Sequence, residues 1–82
     1  MSVITTIQSD SSYTKTVQIP NGTISALITK QASGSPGVYI EKRTTEGRGV
    51  RTENMMMQLI TDKIKVTESN LDVVLLHLQV NC

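Results

Sequence analysis

Four cations crowd into ten positions: Lys42, Arg43, Arg48 and Arg51 are half of the eight basic residues in the chain, and Glu46 is the one acid among them. Arginine forks grip phosphate or carboxylate oxygens through paired, charge-assisted hydrogen bonds. Gly47-Arg48-Gly49 leads towards a segment we expect to be a helix start. Free backbone N–H groups and the positive end of the helix dipole would favour an anion there. The same residues also fit an ordinary solvated hairpin end, with Glu41 and Glu46 as weak surface partners. No Walker pattern supports the anion reading. Tyr39 precedes the cluster and is placed to stack one base.

Other chemistry finds little to work with. The net charge is +1, far from the basic balance of general nucleic-acid binders, and two tyrosines cannot furnish a full stacking platform. Oligomerisation would repeat the arginine patch about a symmetry axis and strengthen it. A nucleotide-sized ligand at a subunit boundary is then as reasonable as a nucleic-acid strand. His77 has no Ser or Cys near it in sequence and reads as a packed or interface histidine. The seven acids are scattered, without a paired-carboxylate or Asp-x-Asp arrangement, and one His with one Cys gives no ligand set for zinc. We therefore expect no enzyme, no metal and no cofactor. Cys82 is a terminal thiol rather than a nucleophile, and Asn21-Gly22-Thr23, a formal glycosylation acceptor, reads as a hairpin turn.

Met55-Met56-Met57 is a second candidate surface. On a helix three successive residues spread over about 200°, so with Met56 inward, Met55 or Met57 faces outward and is available to a neighbouring subunit or partner protein.

These groups need elements to position them. Val3 to Gln8 is β-branched and short, a first strand. Asn21-Gly22 between two β-rich runs suggests a type I′ hairpin pairing Ile19 with Ile24, Val17 with Ala26, Lys15 with Ile28 and Tyr13 with Lys30. That register places Tyr13, Val17, Ile19, Ile24, Ala26 and Ile28 on a core face, opposite Thr14, Thr16, Gln18, Ser25, Leu27 and Thr29. Residues 32 to 37 are a loop by composition, and Val38 to Arg43 alternates like a third long strand. From Thr52 the period changes: Met56, Leu59, Ile60 and Ile64 predict a helix of about a dozen residues, capped by Thr52 or Asn54. Leu71 to Val80 fits either a helix, through Leu71, Val74, Leu75 and Leu78, or a strand, through alternation. We read it as a strand, on its three valines and continuous apolar run.

The expectation is a single domain over residues 1–82: an antiparallel sheet of four or five strands with one helix packed on one face, small α+β. An all-β fold is the second reading and a sheet followed by a helical hairpin the third. A chain this short, without staples, often gains its missing burial from a second subunit, so we expect a homo-oligomer. No run of 18 apolar residues is present, and the first residues lack the pattern of a signal peptide, so the chain reads as cytoplasmic with no membrane partner. The expected function is non-enzymatic capture of an anionic ligand, a nucleotide or nucleic-acid phosphate, by Lys42, Arg43, Arg48, Arg51 and Tyr39. The alternative is a protein-binding module, an inhibitor or an assembly subunit, using Met55 and Met57.

Overall fold

The computed structural model describes residues 4–9, 11–30 and 37–81. Five strands form one antiparallel sheet in sequence order: β1 (Thr5–Gln8), β2 (Ser12–Ile19), β3 (Gly22–Thr29), β4 (Gly37–Glu46) and β5 (Gly49–Asn54). Two helices follow, α1 (Met56–Thr61) and α2 (Leu71–Val80), the second entered through a 3₁₀ turn over Glu68–Asn70. The small α+β class expected from sequence is the observed one. Of the loop expected over 32–37, Gly37 is instead the first residue of β4, paired with Thr29, and residues 32–36 lie outside the described residues, as do the first residues of the opening strand and Cys82.

The core faces follow from alternation. Val17, Ile24, Ala26, Ile28 and Ile40 point to one side of β2, β3 and β4 and are fully buried there. Leu71, Val74, Leu75 and Leu78 of α2 close over them, with Met55 and Leu59 from the α1 region completing the cluster. Each aliphatic side chain removed from water in this way stabilises the fold by about 1.5–3 kcal/mol.

The hairpin register differs from the expected one. Ile19 pairs with Gly22 and Val17 with Ile24, which leaves Pro20 and Asn21 as the loop. Proline holds φ near −65° and Asn21 sits at φ 66°, the sign pattern of a type II turn rather than type I′. The shift is two residues, so every side chain keeps its face. Gly22 is required by crowding: a Cβ there would lie 1.9 Å from the Arg43 carbonyl oxygen, where β4 crosses the turn.

Two further expectations are overturned. The segment from Thr52 does not begin a helix; residues Gly49–Asn54 are β5, and α1 starts only at Met56 and lasts six residues. Gly47 at φ 58° opens a two-residue turn of the type II′ pattern, and the Val and Thr of the following run continue the ladder. Asn54 still marks the helix start, its Oδ1 accepting the Met56 N–H at 2.8 Å. Ile60, expected inward, is 64% exposed, because the side of α1 turned to the core is the one carrying Met55 and Leu59; the helix then ends early, with Ile64 N–H reaching back to the Leu59 carbonyl around Lys63 at φ 59°. The second correction is Leu71–Val80, a helix and not a strand. The apolar face of the sheet requires a cover, and Leu71, Val74, Leu75 and Leu78 supply one at helical spacing, which outweighs the β preference of three valines. Asn70 sets its start, accepting the Thr67 N–H at 2.8 Å and donating to the Lys65 carbonyl at 2.7 Å.

Side chains flanking the core fasten α2 to the sheet. The Lys15 ammonium meets Asp72 at 2.6 Å, the Tyr13 hydroxyl donates to Glu68 at 2.8 Å, and Gln79 donates to the Gln18 carbonyl at 2.6 Å. Burial, reinforced by Glu68 and then Asp72, pushes the Tyr13 phenol up to about 12.

Candidate functional site

The four clustered cations all lie on the ribbon formed by β4 and β5, but the ribbon separates them. Lys42 faces Glu53 across the ladder and Thr44 faces Arg51, so Lys42 and Arg51 are on the helix-bearing side of the sheet. Arg43, opposite Thr52, is on the bare side with Tyr39, and Arg48 stands at the tip, in the turn after Gly47. The turn leads into a strand, so no helix N-terminus stands beside Arg48 and that part of the expected anion cradle is withdrawn.

On the helix-bearing side the two cations share a shallow groove of about 320 Å³ with Thr44, Glu46 and Glu53. Strand alternation explains this mixture: residues 42, 44, 46, 51 and 53 share a face once β5 is read as a strand. Reading residues 52–54 as helix hid that pairing. Among the described residues, no carboxylate approaches Lys42, Arg48 or Arg51 within 4.0 Å, while Arg43 sits 3.7 Å from Glu41. On the bare side Tyr39 pairs directly with Leu27 of β3, each 39% exposed, and Glu41 and Arg43 continue its row.

The groove runs into a larger cleft of about 760 Å³ between the end of β5, α1 and the end of α2, since Lys42 and Glu53 line both. Asp62 and His77 face each other there, with His77 Nε2 4.0 Å from Asp62 Oδ2 and Gln58 donating to the other Asp62 oxygen at 3.1 Å. The His77 ring is thus at a cleft wall, its side chain 42% exposed, not packed in the core. No Ser, Thr or Cys is among the residues lining this cleft. Among the described residues no three His, Cys, Asp or Glu side chains converge on a point where a metal could sit.

The methionines divide cleanly. Met55 is a core residue, 7% exposed, and donates its N–H to the Ile40 carbonyl at 2.9 Å, so its expected role as an interface residue is withdrawn. Met57 is 67% exposed. Among the described residues, no helix is long and apolar enough to cross a membrane.

Comparison with family models, curated proteins and solved structures found no match to this chain. Fold and site together define a small α+β protein with a charged ribbon, and the residues themselves must carry any functional argument.

Proposed function

We propose that this protein is a non-enzymatic binding protein that grips the phosphates of a nucleic acid with the β4–β5 ribbon. The observation that carries the reading is the placement of Lys42, Arg48 and Arg51: three cations at one end of the sheet with no acid within 4.0 Å among the described residues, directed to one face and the tip, while Arg43 covers the other face. A single phosphate cannot meet groups pointing three ways. An extended polyanion passing around the ribbon end can, so the geometry favours a polymer over a free nucleotide. Tyr39, two positions from Glu41 on the bare face, offers a ring for one unstacked base. On this reading the protein works in the cytoplasm.

Fluorescence anisotropy with a labelled single-stranded oligonucleotide, its duplex and competing ATP, each across a salt series, tests it. Four phosphate contacts on a single strand give a log–log slope of about −3, and Arg48→Ala with Arg51→Ala should reduce its magnitude by about 1.4. Binding that is unchanged in the double variant, or insensitive to salt, would sink the proposal. Competition by ATP as strong as by the oligonucleotide would return the reading to a nucleotide binder.

A further inference from the structure

The phosphate contacts leave the cleft of about 760 Å³ unused, although it opens from their groove through Lys42 and Glu53. Its size is that of a small-molecule site. Part of its lining is apolar, from buried Leu78 and exposed Met57, and a thioether packs well against an aromatic ring. The polar part is a connected row. Gln58 Nε2 donates to Asp62 Oδ1 at 3.1 Å, Asp62 Oδ2 stands 4.0 Å from His77 Nε2, and Asn81 Nδ2 lies 3.4 Å from His77 Nδ1. That row has a definite hydrogen-bonding sense. An amide N–H beside Nδ1 leaves the His77 ring proton on Nε2, so the ring presents a donor next to Asp62. At 4.0 Å the donor is too far from Oδ2 for a hydrogen bond. Among the described residues no donor reaches Oδ2, and Oδ1 keeps a lone pair beyond the one Gln58 uses. The row therefore offers two adjacent acceptors and, beside them, one donor.

We infer that this cleft takes a guanine base of the strand held by the ribbon, an assignment that rests on the phosphate reading of Lys42, Arg48 and Arg51. Among the nucleic-acid bases, guanine carries the complement of the row: N1–H and the 2-amino group side by side, with the O6 acceptor next to N1–H. With N1–H on Asp62 Oδ2 and the amino group on Oδ1, O6 comes to the His77 side. The 4.0 Å gap, too long for a direct bond, suits two groups that serve neighbouring atoms of one base edge. Uracil and thymine would turn carbonyl oxygens on both sides of their single N–H against the carboxylate, and adenine and cytosine have a ring acceptor beside their amino group. A guanidinium would match the two acceptors but leave the His77 donor without a partner and meet repulsion from Lys42. Met57 offers its side chain to the ring face. Lys42 lines both cleft and groove, and there the base and the phosphate of one nucleotide meet the same chain of contacts.

Anisotropy with labelled oligo(dT), and with the same strand carrying one central dG or dI, reads the preference. The dG strand should bind about tenfold tighter than oligo(dT), and the dI strand, which lacks the 2-amino group, should lose most of that gain. Asp62→Asn should bring the dG and dT affinities together while the salt slope stays that of the wild type. A second readout needs no variant. His77 is the one histidine of the chain, so its imidazole NMR signals identify themselves. GMP should shift them further than UMP, which brings the same phosphate, or methylguanidine, which brings the two donors alone. Equal affinity for dG and dT strands, a dI strand as good as the dG strand, a preference that survives in folded Asp62→Asn, or a methylguanidine shift as large as that of GMP would each overturn the guanine site. Salt-sensitive binding of every strand without preference breaks the cleft assignment and leaves the ribbon reading intact. A GMP-specific His77 shift without strand binding does the reverse, and makes the cleft a site for a free guanine nucleotide.

Discussion

β4 lives in two environments along its length. Through Ile40 its inward positions lie under the helices and close a core whose sheet members are fully buried. Beyond Ile40 the same strand pairs with β5, all six residues of which are exposed, and its inward positions become Lys42, Thr44 and Glu46. The boundary is marked by the Met55 N–H on the Ile40 carbonyl, where the chain leaves the ladder for α1. Backbone hydrogen bonds continue across it while apolar burial stops. Stability therefore comes from one half of the strand and charge chemistry from the other, and substitutions in the two halves should have separable effects.

The largest effects belong to the buried half. Total stability for a chain of 82 residues is about 4–12 kcal/mol, and Leu75→Ala, which empties a fully buried site under the sheet, should cost about 3 kcal/mol of it. Gly22→Ala should be comparably severe: its Cβ would press on backbone, the Arg43 carbonyl and Thr44 Cα, which cannot rotate away. Urea midpoints measure both, and a loss under about 1 kcal/mol at either site would mean that the core and the hairpin crossing are looser than the packing indicates.

Next in size are the two ends of the segment joining the helices. Asn70→Ala removes the clamp on Thr67 and Lys65 and should cost about 1 kcal/mol. Lys63→Gly should do the reverse, gaining up to about 1 kcal/mol, because Lys63 holds φ 59° at a position where glycine carries no Cβ penalty. Tyr13 gives a pH-dependent test of the same seam. Its phenol loses a proton only near pH 12 in the folded chain but near pH 10 when unfolded, so its contribution is intact below pH 10 and disappears as the pH rises to about 12. With no Trp present, absorbance at 295 nm isolates tyrosinate, and the step near pH 12 should be absent from Tyr13→Phe.

The strands of the buried half were legible because alternation there coincides with burial: Val17, Ile24, Ala26 and Ile28 could be assigned a face even though the turn lies one residue earlier than expected and the pairing is shifted by two. The helices were harder for opposite reasons. In Leu71–Val80 almost every residue is apolar, so period 2 and period 3.6 fit alike, and only the need to cover the sheet decides between them. In residues 52–64, Met and Leu favour a helix that tertiary pairing confines to Met56–Thr61. The candidate site suffered from the same error. Read as the approach to a helix, Arg48 and Arg51 look like one cradle with Lys42 and Arg43; read as a ribbon, alternation puts Lys42 and Arg51 on one face beside Glu46 and Glu53, Arg43 on the other, and leaves Arg48 at the tip.

The smallest stability effect is the sharpest test of the contrast between the two halves. Arg48 and Arg51 are exposed, and neither has a carboxylate within 4.0 Å among the described residues. Their replacement by Ala should move the urea midpoint by no more than about 0.5 kcal/mol, the usual range for surface positions. If nucleic-acid affinity falls while the midpoint stays, binding and folding are carried by different parts of one strand. A midpoint that drops by 2 kcal/mol or so, a size seen when a packed or networked group is lost, would instead mean that the ribbon supports the core and that the division at Ile40 is wrong. Glu53→Gln sharpens the reading in the opposite direction. Removing the carboxylate opposite Lys42 makes the groove more positive, so affinity for a polyanion should rise, again with little change in midpoint.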